Sequence, residues 1–516
     1  MATSLTACAP GDSIRGASSD TLVQTEANRG NGAVSAADPR AQAAGEEILA
    51  KGGSATDAAI AVMIALTVVE PQSSGIGGGG FLVHASEQGV TTFDGRETAP
   101  AAATGTRFLD EKGDRLPRDQ RVLSGLSVGV PGNIALAAKA HAQYGKLEWA
   151  ELFQPAIRLA RDGFQMNRRL NGSLGDNKDR ASKSADARAV FFDRQGEPLP
   201  IGATITNPNF ARTLESLSSA GPRYLYFVMA ERLANYIATE TPQDGRMTGA
   251  DIDAYVAKLR DPVCGRYRTY KICGMGPPSS GGVAVAQMLG QLERFDLAAL
   301  GPDSATFWHL FLESQRLAYA DRGLYIGDAD FVPVPVTGLV GPAYLAERSA
   351  LISPDTALPQ AKPGEPQGVQ VAMAPGDRLY EQGTTHFSVV DKDGNAVSYT
   401  STIEGAFGSG LFFEGFYLNN ELTDFSSRPE SDGKPVANRV EGGKRPRSSM
   451  APTIVFDDKG EVALVVGAAG GPTIPVQTAR SIIGVVAIGL NANAAVALPI
   501  NMAIGPSVIY EEGSFL

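Results

Sequence analysis

Thr384 directly follows Gly383 at the head of the apolar stretch Thr385-His386-Phe387-Ser388-Val389-Val390-Asp391, which is the layout of a self-cleaving junction. A threonine hydroxyl is a weak nucleophile near neutral pH and needs a base within reach. Its own α-amine can serve, but only once that threonine begins a chain. A cut between Gly383 and Thr384 supplies that amine. Gly383 has no side chain to shield its carbonyl. It can take the strained backbone in which the Thr384 hydroxyl attacks that carbonyl and leaves a hydrolysable ester. The expectation is a precursor whose first reaction frees the base for its second.

The elements needed to hold such a junction can be read on both sides of it. Residues 353–383 are rich in proline, glycine and glutamine and read as an exposed linker. Beyond them, strands are expected at 387–390 and 396–402 around an Asp393-Gly394 turn, and at 449–456 and 462–467. The consecutive apolar residues Ala463-Leu464-Val465-Val466 predict a strand covered on both faces, and 473–490 reads as a helix laid on the sheet. Upstream, 1–37 reads as a polar lead, and Asp38-Pro39 opens a helix that Gly52-Gly53 closes. Ser54 and Asp57 cap a second helix, whose 58–69 stretch is apolar all round but too short to cross a bilayer. The run Gly75-Ile76-Gly77-Gly78-Gly79-Gly80 lacks the Gly-Lys-Ser/Thr of a phosphate loop and precedes a strand at 81–84. Close backbone packing is its expected role. A further strand at 90–93, a helix at 133–141, a helical region over 142–263 and a long helix capped by Ser304 complete the reading. His309 and Glu313 fall on that last helix as packing and surface residues.

Composition narrows the chemistry. The 516 residues are 43% hydrophobic and 20% charged, an ordinary globular balance, and a net charge of −11 argues against nucleic acid or anionic membranes as partners. Four histidines and three cysteines without Cys-x-x-Cys spacing make a zinc site unexpected. Cys264 and Cys273 flank a segment able to fold back as a hairpin, which fits either a disulfide or two buried thiols. Leu5-Thr6-Ala7-Cys8 resembles a lipobox, yet only four residues precede it, so a shortened start is expected. A rival enzyme class rests on Gly125-Leu126-Ser127-Val128-Gly129, a serine-esterase elbow pattern with His309 or His386 as nominal base. Val130-Pro131-Gly132 after it suits the required strand-to-helix turn only in part.

Thr384-Thr385-His386 with Ser388-Val389-Val390-Asp391 resembles the start of the small subunit of γ-glutamyltransferases, which are N-terminal nucleophile hydrolases. The glycine-rich run, Arg96-Glu97-Thr98-Ala99-Pro100, Pro277-Pro278-Ser279-Ser280-Gly281-Gly282, the loop 419–425 and Arg447-Ser448-Ser449-Met450 are similar to further segments of that family, in the same order. The resemblance implies an α+β, four-layer αββα sandwich built as a heterodimer from one precursor. Its parts would be a leader over 1–37, a large subunit over 38–383 and a small subunit over 384–516. By the same resemblance Thr384 is the nucleophile, Thr402 polarises it, and the N–H groups of Gly470 and Gly471 meet the oxyanion. Arg96, Ser448 and Ser449 would grip a substrate α-carboxylate, and Glu421 and Asp424 its ammonium. Glu404 stands where the family usually carries asparagine; it can still meet the ammonium but adds negative charge beside the nucleophile. Ala468-Ala469 replaces a frequent serine-proline pair. The implied substrates are glutathione or related γ-glutamyl amides, with water or an amino acid or peptide as acceptor and no metal or organic cofactor. A periplasmic or secreted location follows, with a lipid anchor at Cys8 as one form of it. Related cephalosporin acylases, which take glutaryl groups, are the alternative, and an uncleaved γ-glutamyl-binding homologue is a third reading. The 133 residues from Thr384 onward are fewer than the family's usual small subunit, so a C-terminally shortened chain is expected.

Overall fold

A computed structural model describes residues 30, 32–242, 245–370, 373–376, 383–504 and 507–511. Cys8 and the lipid-anchor expectation lie outside them. In chain order the elements that build the site are β1 (Ala33–Ser35), α1 (Pro39–Ala50), α2 (Ala55–Val69), β2 (Gly79–Ser86), β3 (Gly89–Asp94), α3 (Arg118–Val122) and α4 (Asn133–Tyr144). They continue with β4 (Lys258–Arg260), β5 (Val263–Tyr267), β6 (Tyr270–Gly274), α5 (Gly281–Leu292) and α6 (Ala305–Tyr325). After the linker come β7 (Gly383–Val390), β8 (Ala396–Glu404), β9 (Thr453–Phe456), β10 (Val462–Val466) and α7 (Ile474–Val486). Shorter helices occupy most of the region between α4 and β4.

The helix starts follow local chemistry. Asp38 accepts from the Arg40 N–H at the head of α1, and Ser54 and Asp57 form a reciprocal capping box on α2. Every residue of α2 is buried, as its uniform apolarity requires. Its first turn is also tied to the sheet, because the Ala55 N–H donates to the Asp391 carboxylate (3.1 Å) just past β7.

Two antiparallel sheets carry the centre. One has the order β1-β7-β8-β2-β3-β4 and the other β10-β9-β6-β5. Period-two alternation along β7 sends Phe387 and Val389 into the core shared with α1, α2 and α4. On the opposite face Ser388 donates to Val465 O (3.2 Å), and the β8 residue Ser398 donates to Val466 O (3.0 Å), which joins the two sheets. A second core packs β6 and β9 against α5, α6 and α7. The result is the α+β sandwich of four layers, αββα, with Thr384 at the start of β7 in the larger sheet.

Three expectations change. Residues 33–35 belong to the sheet rather than to a polar lead: β1 pairs with β7 through Val34 opposite Val389 and covers what would be an open edge. Strand β10 is not covered on both faces, since it is itself an edge strand with Ala463 exposed and Leu464 and Val465 half-buried. The expected 473–490 helix is shorter, beginning after a 3₁₀ turn at Gly471–Thr473. Of the two readings of the cysteines, the disulfide is the one found: Cys264 and Cys273 face each other across β5 and β6 and are bonded.

Candidate active site

Strand register sets the reactive end. β8 pairs regularly with β7 as far as Ser401 opposite Thr385 and then slips, so that Glu404 rather than Ile403 faces Gly383. This bulge turns Thr402 toward the junction and puts Glu404 in the left-handed region at φ 73°, where a long side chain is strained. The Thr384 hydroxyl lies 2.6 Å from Gly383 O and 3.4 Å from Thr402 Oγ1. Thr402 Oγ1 donates to the same Gly383 oxygen and accepts the Glu404 N–H at 2.8 Å. Both threonines are buried. The Gly383 carbonyl is therefore polarised by the second threonine with the first beside it. The glycine-rich run contributes as expected: a Cβ on Gly78 would sit 2.0 Å from Thr402 O, so only glycine lets that backbone back the strand at this point.

A second cluster lies around Arg96, just past the end of β3. Its Nη1 donates to Glu421, its Nη2 to Asp424 and to Arg447 O (2.9 Å), and its Nε to Pro446 O (3.1 Å). Arg96, Glu421 and Asp424 are all buried. Sequence reasoning placed the arginine and the two acids on opposite ends of a substrate; here they neutralise each other. Burial raises the Asp424 carboxyl, with Arg96 opposing and Glu421 adding to the rise. Glu97, 4.0 Å from Arg96, is pushed up to about 8, by burial first and against Arg96. The loop 419–425 is stapled to β8: the Gly405 N–H donates to Asn420 Oδ1 (2.9 Å), and Asn420 Nδ2 donates to Glu404. Asn419 holds Gly77 O (2.8 Å) and Gly129 O (2.9 Å).

Ser448 and Ser449 stand on the same loop as the Arg96 acceptors. Ser448 Oγ accepts the Met450 N–H (3.1 Å), and Ser449 Oγ accepts from Arg322 (2.7 Å), which also donates to Ser280 Oγ (2.8 Å). Arg322, on α6, was missed; its only sequence signal was a cation on a helix read as packing. Gly470, at φ 116°, and Gly471 precede α7, and neither N–H donates a hydrogen bond among the described residues. Their neighbour Ala469 lines one cavity of about 230 Å³ with Thr384, His386 and Gln477. His386 is no base here: it bridges Thr400 Oγ1 (2.9 Å) and Ser388 Oγ (3.1 Å), and burial lowers it to about 3. The esterase reading fails on geometry. Ser127 closes a 3₁₀ turn, is fully buried and donates to Val122 O and Ser124 O, while His309, on α6, bonds Ser353 O.

Comparison with known proteins decides the family. Residues 41–515 match the family described as Gamma-glutamyltranspeptidase. The chain belongs to the γ-glutamyltranspeptidase family. A glutathione hydrolase proenzyme of Bacillus subtilis (strain 168) is 40% identical over 482 residues, covering 91% of this chain and 80% of that protein. One from Escherichia coli (strain K12) is 40% identical over 476 residues, 89% of this chain and 79% of the other. Among solved structures, cephalosporin acylase from Bacillus halodurans superposes with a TM-score of 0.81 at 25% identity, covering 94% of this chain and 85% of that one. Where the resemblance leads one to expect asparagine the chain carries Glu404, and the bulge makes that glutamate costly: asparagine tolerates the left-handed region far better. Among the described residues no three His, Cys, Asp or Glu side chains converge as a metal site, and no helix is long and apolar enough to cross a membrane.

Proposed function

We propose that this chain is the precursor of a γ-glutamyl hydrolase/transferase that cuts itself between Gly383 and Thr384. The large and small parts would be 38–383 and 384–516, with the β1 residues Ala33–Ser35 standing ahead of the large part and staying with it. The observation that carries the reading is the Gly383 carbonyl held by the Thr402 hydroxyl beside Thr384 Oγ1. Attack of Thr384 Oγ1 on that carbonyl carbon breaks the peptide C–N bond and forms an ester. Water then hydrolyses the ester, leaving a carboxylate on Gly383 and a free amine and hydroxyl on Thr384. In the second reaction the amine takes the hydroxyl proton as Oγ1 attacks a γ-glutamyl carbonyl, and the departing amine receives it. Gly470 and Gly471 N–H groups stabilise the oxyanion, a contribution of about 3–4 kcal/mol per donor in comparable sites. Water or an amino-acid or peptide amine then resolves the acyl-enzyme.

Recognition follows from exchanging partners inside the buried cluster. A γ-glutamyl group brings one carboxylate and one ammonium, so Arg96 with Ser448 and Ser449 can take the first while Glu421, Asp424 and Glu404 take the second. Glutathione, named in the relatives, satisfies both. The acylase neighbour supports a second reading in which a glutaryl group is the donor, but that group would leave the acids without an ammonium. The disulfide in the β5–β6 hairpin favours an oxidising location, periplasmic or secreted. Intact mass of the purified protein should show two chains meeting at Gly383–Thr384, and a γ-glutamyl anilide should be cleaved faster than a glutaryl anilide. A single uncut but active chain, or a preference for glutaryl, would overturn the assignment.

A further inference from the structure

The smaller sheet ends on β5, whose outer side pairs with no strand among the described residues. In the β5–β6 hairpin Cys264 stands opposite Cys273 with their Cα atoms 4.1 Å apart, the close spacing of a non-hydrogen-bonded pair. Arg266 opposite Lys271, two residues on, is a pair of the same kind. The main-chain N–H and C=O groups of Cys264 and Arg266 therefore point away from β6 to the open edge, and nothing among the described residues meets them. Such a row of groups is a template for another strand. Beside it lies a trough of about 940 Å³, near the upper end of ligand-sized cavities. Ala286 and Leu289 of α5 line it on one side, and Pro342 and Leu345 of the helix Pro342–Ala350 on another. Gly265, which faces α5, leaves it open: a Cβ there would have only Ala286 Cβ near it, at 3.8 Å. Strand alternation puts Arg266 and Lys271 on the opposite face of the sheet from Gly265 and Ile272. Both cations are exposed, and neither side chain makes a hydrogen bond or ion pair among the described residues; Lys271 lies over the Phe456 ring at 5.7 Å. Arg268 and Arg294 also line the trough, but main-chain carbonyls of Glu293 (2.8 Å) and Ser349 (3.2 Å) already hold them.

We propose that the β5 edge is a docking site for an extended segment of a partner protein in which acidic and apolar residues alternate. Added beside β5, the segment would exchange main-chain hydrogen bonds with Cys264 and Arg266 and complete the edge. Its side chains then meet two different surroundings in turn. Those on the face of Gly265 enter the trough, where apolar groups leave water. Those on the face of Arg266 meet the two cations. Charge decides the occupant. Cations on an edge ordinarily keep other strands away, and these would repel a segment with lysine or arginine beside them. Glutamate or aspartate at the same positions finds an opposite charge across the pair. The chain carries a net charge of −11, so this edge is a local exception at which an acidic segment is attracted rather than turned away. The γ-glutamyl chemistry makes no use of this edge, and the proposal does not depend on it.

The test is fluorescence anisotropy of a labelled peptide, Glu-Val-Glu-Leu-Glu-Val-Glu, titrated with the full chain. Wild type should bind it at least about tenfold more tightly than the same peptide with lysine in place of glutamate. Arg266→Glu/Lys271→Glu should reverse that preference. Gly265→Val, which fills the trough with a residue suited to a strand, should weaken binding about tenfold without lowering the thermal midpoint. Two N-methylated peptides test the strand itself, one methylated at the acidic residues and one at the apolar residues. Only one set has its N–H groups toward β5, so one peptide should lose at least about tenfold in affinity and the other should keep it. No binding of the acidic peptide, a charge preference that the double variant does not move, or equal binding of the two methylated peptides overturns the proposal. Self-association of wild type that Gly265→Val abolishes would assign the edge to a second copy and overturn it as well.

Discussion

Around Thr384 the working groups are neutral hydroxyls and backbone atoms placed by strand register. Around Arg96 they are buried charges placed by one another. The first arrangement costs little to bury, because each hydroxyl finds a partner within the bulge. The second would be expensive if any member stood alone, since a lone buried charge loses its hydration without repayment. The contrast separates two tasks. On the proposed function, reactivity would be stored in a bond geometry that exists before any ligand arrives, and recognition in ion pairs that a zwitterionic ligand would replace one for one.

The sharpest way to break the comparison is to delete a group from each side. Thr384→Ala should abolish both chain scission and turnover, a loss of about 10⁴-fold or more, while leaving the denaturation midpoint near that of the unprocessed chain; gel mobility and anilide hydrolysis check it. Arg96→Ala should do the reverse in kind. It should lose about 3–5 kcal/mol of stability, the cost of breaking a buried ion pair, as well as donor affinity, read by urea unfolding and KM. If Arg96→Ala were as stable as the parent, the charges would not be holding one another.

Acidity sharpens the same contrast. Glu97 is pushed up to about 8 and Asp424 is raised, whereas unfolded carboxylates titrate near 4. The folded chain therefore holds protons that the unfolded chain gives up, so this contribution is complete below the unfolded values and is lost as pH rises toward about 8. Denaturant midpoints of the Thr384→Ala precursor should fall between about pH 5 and about pH 8.5. A midpoint that climbs over this range would contradict the burial argument. The smallest effect expected is at the bulge: Glu404→Asn should stabilise by about 1 kcal/mol by easing a left-handed backbone. Equilibrium unfolding measures it, and a loss of stability would show that the Glu404–Asn420 contact outweighs the strain.

How much of this was legible in the sequence depended on range. The caps at Asp38 and Ser54 and the Asp393-Gly394 turn obey rules spanning a few residues, and each stands where it was expected. The residues of the charged cluster could be named by resemblance. Their mutual pairing could not, because Arg96 meets Glu421 and Asp424 across 325 and 328 positions of sequence. The slip that sends Glu404 left-handed leaves no trace in composition, since register is settled only when two strands meet. β1 was lost for the same reason: three residues in a polar context acquire meaning only from the β7 edge they cover. Arg322 hid on an amphipathic helix, where a cation is ordinarily solvated surface.

The order of the strands carries one more consequence. In the larger sheet β7 and β8 lie between β1 and β2, and in the smaller β9 lies against β6, so polypeptide from both sides of the junction is woven through each sheet. Scission therefore produces two threads of one fabric rather than two separable bodies. The uncut chain folds with both threads tethered, but after the cut a denatured molecule must recover its counterpart by diffusion, at a rate set by dilution. Maturation would act as a ratchet: unfolding that the newly made chain could reverse on its own becomes, for the finished one, close to final.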